Sequence, residues 1–153
     1  MSSALGKAVQ HFLGVAMYPN SDVQLLKAAR KQLEIREVTE QLSAEQLLQH
    51  GKAFRDFWMQ QIPDATPCFQ YPLECWQGKR VLQIQPDLFL ENKDSVAAVY
   101  FAGFAEGMKK WKNHTQSLAP LTGWTQMLLR QVFPDKRVGV WLVFAMEGQV
   151  IEM

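Results

Sequence analysis

Three histidines are the first residues to test for chemistry, because imidazole binds metal ions and transfers protons near neutral pH. His11, His50 and His114 lie far apart in the chain. Zinc sites that can be recognised from a sequence place their ligands only a few residues apart. We therefore expect solvated or hydrogen-bonded histidines, and the sequence predicts neither a metal site nor a cofactor.

Cys68 and Cys75 are the only cysteines, and they fall on or near one segment of extended pattern. Seven residues of straight strand would separate them by about 23 Å, which is well beyond the reach of a disulfide. A bridge would require the strand to bend, so we expect two packed thiols. Two cysteines are also too few for the framework of a small secreted domain, which favours a cytoplasmic protein.

Acidic residues and familiar motifs indicate no reaction. Glu34, Glu37 and Glu40 recur every three residues, but carboxylates acquire catalytic pKa values only when they are desolvated, and a solvated face is expected here. The sequence lacks the phosphate-binding GxxxxGKS/T, the dinucleotide-binding GxGxxG, the metalloprotease HExxH and the esterase GxSxG patterns. No catalytic residue is predicted, and an enzyme of unfamiliar type is the third hypothesis.

Basic residues form one cluster around an aromatic side chain. The segment Lys109–Lys112 interleaves three lysines with Trp111. Cations at the end of a helix complement its exposed carbonyl groups, whereas lysines beside an aromatic ring also suit an acidic partner or a single-stranded nucleic acid. Sixteen basic and fifteen acidic residues leave a net charge of only +1. A nucleic-acid-associated protein that uses this cluster together with Lys79 and Arg80 is therefore the alternative hypothesis, not the first.

The first 63 residues carry three amphipathic helical patterns. The first pattern covers residues 3–17 and ends before Pro19, because the residue that precedes a proline avoids helical geometry. Two pairs typical of capping boxes begin the second and third helices: Ser21 with Gln24, and Ser43 with Gln46. The third helix ends before Pro63, and its buried line consists of Leu47, Gly51, Phe54 and Trp58.

Two β-hairpins are predicted in the remainder. Phe69–Cys75 alternates apolar and polar residues, Gln77–Lys79 forms a turn, and residues 80–85 alternate again. Pro72 has no amide hydrogen, so the first strand should lie at an edge or contain a break. The second hairpin joins Val138–Met146 to the strand Gln149–Met153. Both faces of Val138–Met146 are apolar, which indicates that both are covered and favours self-association.

The segment Ser95–Asn113 gives the most specific structural prediction. Its large apolar residues recur at helical spacing, and Gly103 and Gly107 remove side chains beside that stripe. Another backbone should pack closely there, and leucine at either glycine should destabilise the protein by about 1 to 3 kcal/mol. After Pro120, Thr122–Phe133 is predicted as a separate, shorter helix.

An apolar pocket is expected beside this glycine helix, because glycines open space and aromatic walls line small-molecule sites. The predicted ligand-binding residues are Tyr100, Gly103, Phe104, Gly107, Trp111, Trp58 and Trp141. The alternative is that the same aromatic side chains simply fill the core.

The segment Val99–Met108, VYFAGFAEGM, resembles the glycine-bearing helix of TRAPP-type vesicle-tethering subunits and of the related bacterial 4-vinyl-reductase-like small-molecule-binding domains. The predicted order of elements is similar too. The chain departs from the family by inserting the helix Thr122–Phe133 and by lacking the terminal cysteine set of the bacterial group. Neither Cys68 nor Cys75 follows the second helix closely enough to match the acylated cysteine of a tethering subunit. The resemblance implies a non-catalytic domain that dimerises through helices and holds an apolar ligand.

Together these patterns predict a single α+β domain over residues 1–153, with about five helices packed on a small antiparallel sheet of two hairpins. No run of apolar residues approaches the length of a membrane span. The first hypothesis for function is a non-catalytic binding module or adaptor in the cytoplasm. It would use an apolar pocket or a protein-interaction surface, with a second copy, another protein or a small apolar ligand as its partner.

Overall fold

The computed structural model describes residues 3–101, 108–144 and 149–153. The chain divides into two compact units, Met1–Pro63 and Asp64–Met153. The first unit is helical and the second combines β-strands with one helix. The single domain over residues 1–153 stays a prediction, and each unit is described by itself.

The helical unit consists of three helices, as the sequence predicts: α1 (Ser3–Ala16), α2 (Asp22–Ile35) and α3 (Ala44–Gln61). Both capping boxes are confirmed. The Ser21 hydroxyl accepts the Gln24 amide at 3.2 Å, and the Gln24 side chain accepts the Ser21 amide at 3.0 Å. Ser43 and Gln46 exchange the same two hydrogen bonds, each at 3.1 Å. These side chains satisfy backbone donors that the first helical turn leaves without partners.

A glycine sets the distance between α1 and α3. Gly51 lies on the buried line of α3 that the sequence predicts, beside Leu47 and Phe54. A methyl group built at Gly51 would lie 2.5 Å from Cε1 of Phe12 and 3.0 Å from Cβ of Ala16. Since Phe12 is fully buried, its ring has little room to move, and only glycine fits at this contact.

The β unit contains seven strands and one helix in its described part. Five strands form one sheet in the order β1-β4-β5-β6-β7, and the other two form a separate ribbon, β2-β3. The elements are β1 (Thr66–Phe69), β2 (Leu73–Gln77), β3 (Arg80–Ile84), β4 (Leu88–Glu91), β5 (Ser95–Phe101), α4 (Met108–Val132), β6 (Arg137–Phe144) and β7 (Gln149–Glu152).

The first predicted hairpin is present and longer than predicted. β2 and β3 pair antiparallel around a turn in which Gly78 has a φ of +62°. β1 and β4 continue the same hairpin beyond an interruption at Pro72, which confirms the predicted break. β4 was not predicted, because LFLE is a short apolar run without alternation, and periodicity cannot classify such a run.

The segment Ser95–Phe101 is a strand, so the prediction of one helix over Ser95–Asn113 is wrong in this part. Val96, Ala97, Ala98, Val99 and Tyr100 are all buried. A strand that is buried on both faces shows a continuous apolar run instead of alternation, and such a run also satisfies a helical template. The two glycines of the predicted helix, Gly103 and Gly107, lie outside the described residues, so their close packing stays a prediction.

The helix that follows β5 is longer than predicted. α4 runs from Met108 to Val132 with Pro120 inside it. The predictions of a separate helix over Thr122–Phe133 and of a link before it are therefore wrong. A proline removes one hydrogen bond of a helix and often kinks it, but it does not always end it. The described part of the chain therefore has four helices where about five were expected.

The large sheet is mixed, not purely antiparallel. β5 and β6 are parallel, with Ser95 opposite Arg137, and α4 is the crossover between them. This arrangement corrects the predicted sheet of two hairpins, although the α+β class is confirmed. The terminal hairpin is confirmed as well, because β6 and β7 pair antiparallel with Trp141 opposite Glu152.

The core of the β unit lies between the sheet and α4. Side chains of five strands and the helix form one buried cluster, whose members are Leu73, Ile84, Phe89, Val96, Ala98, Tyr100, Leu128, Leu129, Val140, Leu142 and Phe144. The alternate residues Leu90, Val99 and Val143 are also buried. Both faces of β6 thus carry buried side chains, as its apolar pattern indicates.

Candidate functional site

The predicted ligand-binding residues fall in different parts of the structure. Trp58 is buried in α3 of the helical unit, whereas Tyr100 in β5 and Trp141 in β6 belong to the β unit. Gly103, Phe104 and Gly107 lie outside the described residues, and for Trp111 only its place in α4 is described.

Tyr100 and Trp141 lie on opposite faces of the sheet. In the parallel pair, Val99 is opposite Trp141 and Tyr100 is opposite Leu142. Because side chains alternate along a strand, Tyr100 shares a face with Leu142, and Trp141 shares the other face with Val99. These two aromatic rings therefore do not line one common wall, and the predicted pocket stays a prediction.

Tyr100 belongs to a short chain of buried hydrogen bonds. Its hydroxyl lies 2.8 Å from Oγ1 of Thr125, and that hydroxyl donates to the Leu121 carbonyl oxygen, also at 2.8 Å. Since the Thr125 hydrogen is used in this second bond, the Tyr100 hydroxyl is the donor in the first. The chain connects the carboxyl end of β5 to the middle of α4.

Asp87 lies beside the same end of β5. One of its carboxylate oxygens accepts the Phe101 amide at 2.8 Å. Burial raises the pKa of Asp87 above its ordinary value, and the bond from Phe101 lowers it in part. Burial also raises the pKa of Tyr100, its bond with Thr125 opposes that shift, and the charge of Asp87 adds to it. The phenol is therefore protonated at neutral pH and available as a donor.

Asp87, Tyr100 and Thr125 form what we call the β5-end cluster. Ligands of open α/β sheets bind outside the carboxyl ends of parallel strands, and titratable groups with shifted pKa values are frequent at functional sites. In this cluster, however, the Tyr100 and Thr125 hydroxyls both donate to groups of the protein itself. The role of the cluster is primarily structural, because its hydrogen bonds connect the start of β4 with β5 and β5 with α4.

Sequence reasoning missed the role of Asp87. The available signal is its position between Pro86 and the apolar run of β4. The ladder between β4 and β5 ends at the pair of Leu88 and Val99. Beyond this pair, the Asp87 side chain accepts the Phe101 amide. The position of Asp87 suggests a structural role only once the strand that follows it has been predicted.

Two tryptophans of the β unit are exposed. Trp76 on the outer face of the β2-β3 ribbon is 70% exposed, and its cross-strand neighbour Val81 is exposed as well. On α4, Trp124 is 53% exposed. Leu121 and Met127, three residues before and after Trp124, are exposed on the same side of the helix. None of these five residues was predicted as a site residue.

Two depressions occur in the helical unit. One has a volume of about 440 Å³ and is lined by the α2-α3 connection, including Glu34, Glu37 and Glu40. Its neighbour, of about 250 Å³, is lined by residues that include Arg30 and Glu45. The three glutamates are exposed, as the expected solvated face requires. Among the described residues that line these depressions, none belongs to the predicted ligand-binding set.

The remaining candidates for chemistry are dispersed. His11 and His50 are exposed, and Cys68 and Cys75 are free, half-buried thiols. Across residues 3–101, 108–144 and 149–153, no three histidine, cysteine, aspartate or glutamate side chains gather in a geometry that could hold a metal ion. No helix in the same ranges combines the length and the apolar character needed to cross a membrane.

Comparison with known proteins adds no relative to this picture. No protein-family model matches the sequence, and no curated protein matches it significantly. The resemblance to TRAPP-type and 4-vinyl-reductase-like domains accordingly stays a prediction.

Proposed function

We propose that this protein is a binding module that recognises another protein through the exposed apolar residues of its β unit. The contact surface consists of Trp76 and Val81 on the β2-β3 ribbon and of Leu121, Trp124 and Met127 on α4. The observation that carries the proposal is the exposure of the two tryptophans, 70% for Trp76 and 53% for Trp124.

The pattern of α4 supports an interface on its outer side. Thr122, Thr125, Leu128 and Leu129 are buried, so this helix already has a core-facing side. Residues away from the core-facing side of a surface helix are normally polar, yet Trp124 and Met127 are exposed here. Leu121, at the margin of the core-facing side, is exposed as well. Tryptophan is enriched among the residues that dominate binding energy at protein interfaces, and methionine is also enriched there.

The first partner to test is a second copy of the chain, because the same apolar patch on two copies can form a symmetric interface. The apolar strand β6 gives no support to self-association, since both of its faces are buried within the chain itself. A stable dimer typically removes about 1,200 to 2,000 Å² from water. Sedimentation velocity at micromolar concentration should show a dimer for the parent protein. Trp124→Ser and Trp76→Ser should shift it towards monomer, because each removes a large apolar contact and leaves the buried core intact.

Val23→Ser is the matched control for these variants. Val23 is 78% exposed but lies on α2 of the helical unit, so the variant loses an exposed apolar side chain outside the proposed surface. It should sediment like the parent. A parent that is monomeric throughout, with a co-purified protein whose binding survives both tryptophan variants, would contradict the proposal.

A single-stranded nucleic acid is the second candidate partner, and the ribbon favours it. Trp76 lies close in sequence to Lys79 and Arg80 at the turn, and both cations are exposed. Within the described residues, neither has an acidic side chain within ion-pairing distance. Base stacking on an aromatic ring with nearby cations is the usual mode of such binding. Titration with a single-stranded oligonucleotide should then quench the tryptophan fluorescence of the parent more than that of Trp76→Ser, and added salt should weaken the binding steeply.

A further inference from the structure

The two sheets of the β unit contain one interrupted hairpin. Phe69 is opposite Leu88 at the end of the β1-β4 ladder, and Leu73 is opposite Ile84 at the start of the β2-β3 ladder. The same register therefore continues across the gap. Within the gap, it places Pro72 opposite Gln85 and Pro86 opposite Tyr71.

Each strand has one proline at the point where the ladder stops. Neither Pro72 nor Pro86 can donate a backbone hydrogen bond. Gln70 has a φ of +53°, which turns the first strand at this point. A side chain partly replaces the lost ladder, because the Gln85 amide donates to the Gln70 carbonyl oxygen at 3.1 Å. The interruption has the properties of a hinge, with few backbone bonds on either strand.

The base of this hinge is fixed to the large sheet. The Tyr71 ring stacks on the Phe89 ring with ring centres 5.4 Å apart. The Phe89 ring in turn stacks on the Phe133 ring with centres 5.9 Å apart. The Gln70 amide donates to the Asp87 carbonyl oxygen at 2.9 Å. Residues up to Tyr71 are therefore held by the sheet, and the ribbon, residues 73–84, begins immediately beyond this anchor.

Few contacts of the described side chains hold the ribbon closed. Its inner face buries Leu73 and Ile84 in the core cluster. Among the described side chains, one hydrogen bond links it to α4: the Cys75 thiol donates to the Gln131 side-chain oxygen at 3.0 Å. An isolated two-stranded ribbon is marginally stable in water, so these contacts decide whether it stays in place.

We propose that the ribbon is a strap that opens from α4 as one unit, turning at Pro72 and Pro86, while the five-stranded sheet stays folded. Segments with few buried contacts open at a lower free energy than the core strands do. Opening uncovers Leu73, Ile84 and the part of α4 near Gln131. It also moves the exposed pair Trp76 and Val81, so the strap can change the apolar surface that the protein presents.

The two cysteines provide an internal test in the unaltered protein. Both are half-buried and pack against the same core cluster, but Cys75 is on the strap and Cys68 is on the sheet. A thiol reagent such as dithiobis(nitrobenzoate) is added under native conditions, and peptide mass spectrometry assigns the modified cysteine. Cys75 should react about tenfold faster than Cys68 or more, with a weaker dependence on denaturant, because opening the strap exposes less surface than global unfolding.

Two variants separate strap opening from simple exposure of the thiol. Gln77 and Arg80 exchange hydrogen bonds across the two-residue turn, so the alternation of the ladder points the amide of residue 86 at Tyr71. Pro86→Val provides that missing donor, so it should extend the β2-β3 ladder into the gap and slow the modification of Cys75. Pro67→Val, in the edge strand β1, is the control and should leave the rate for Cys75 unchanged. Equal rates and equal denaturant dependence for the two cysteines would overturn the proposal, as would a rate for Cys75 that does not respond to Pro86→Val.

Discussion

At the scale of single residues, Asp87 combines a structural contact with an electrostatic cost. Its carboxylate accepts the Phe101 amide just beyond the last pair of the β4-β5 ladder. Burial disfavours the charged form and raises the pKa of this carboxyl group. A group whose pKa is raised by folding stabilises the protein below its unfolded pKa, and that contribution is lost as the pH rises through the folded pKa.

Asp87→Asn tests this assignment. The asparagine oxygen can still accept the Phe101 amide, but no charge is buried at neutral pH. We expect the variant to be more stable than the parent at pH 7, and the advantage to vanish as the pH falls below 3.8, the ordinary pKa of an aspartate side chain. Urea unfolding across this pH range measures the difference. The exposed Asp135→Asn is the control, and a constant difference between Asp87→Asn and the parent would refute the burial argument.

The Tyr100–Thr125 pair should respond unequally to loss of either partner. Tyr100→Phe removes a donor, and the Thr125 hydrogen stays bonded to Leu121, so we expect a cost of about 0.5 to 1.5 kcal/mol. Thr125→Val leaves the buried Tyr100 hydroxyl without its acceptor, which should cost about 1 to 3 kcal/mol. Chemical denaturation of the two variants gives this order. The reverse order would mean that Tyr100 is not the donor.

Gly51 provides a packing prediction with a matched control. A methyl group there would lie 2.5 Å from the buried Phe12 ring, so Gly51→Ala should destabilise the protein by about 1 to 3 kcal/mol. In α4, a methyl group on the exposed Gly123 would have nothing within 4 Å. Gly123→Ala should therefore stabilise by up to about 1 kcal/mol through helix propensity alone. Thermal unfolding of both variants checks the contrast, and a Gly51→Ala protein as stable as the parent would exclude close packing.

At the scale of elements, local signals were sufficient where one residue type has a specific structural role. Ser21 and Ser43 mark helix starts because their hydroxyls bond the first-turn amides, and Pro72 marks an interruption because it cannot donate. β5 could not be recognised in this way, since its burial on both faces removes the alternation that identifies a strand. Its valines and aromatic residues were the remaining signal, because such residues favour strands.

The candidate site was less predictable than the fold. The sequence indicates that Trp58, Tyr100 and Trp141 are important apolar residues, and all three pack in the structure to differing extents. It does not indicate which tryptophans are exposed, because exposure depends on which face of α4 meets the sheet. Trp124 can be placed on the outer side only after Thr125 and Leu128 are known to face inward.

At the scale of the whole molecule, the predicted single domain implies one cooperative unfolding transition. Gly51→Ala in the helical unit and Thr125→Val in the β unit should then lower the same midpoint. Hydrogen exchange read separately on peptides from residues 1–63 and 64–153 checks this, since each variant should accelerate exchange in both sets. Acceleration confined to the unit that carries the substitution would show two domains.

The parallel pair at the centre of the large sheet has a consequence for how the chain acquires this structure. Every other strand pair of that sheet is antiparallel, whereas β5 and β6 become neighbours only after all of α4 has been traversed. Closing so long a loop is entropically costly, and pairing over such a separation is slow. During synthesis, one apolar edge of β5 therefore has no partner strand until β6 leaves the ribosome. An unpaired edge of this kind is a template for aggregation. We therefore expect the yield of folded protein to depend more on translation rate and chaperones than on the stability of the folded state.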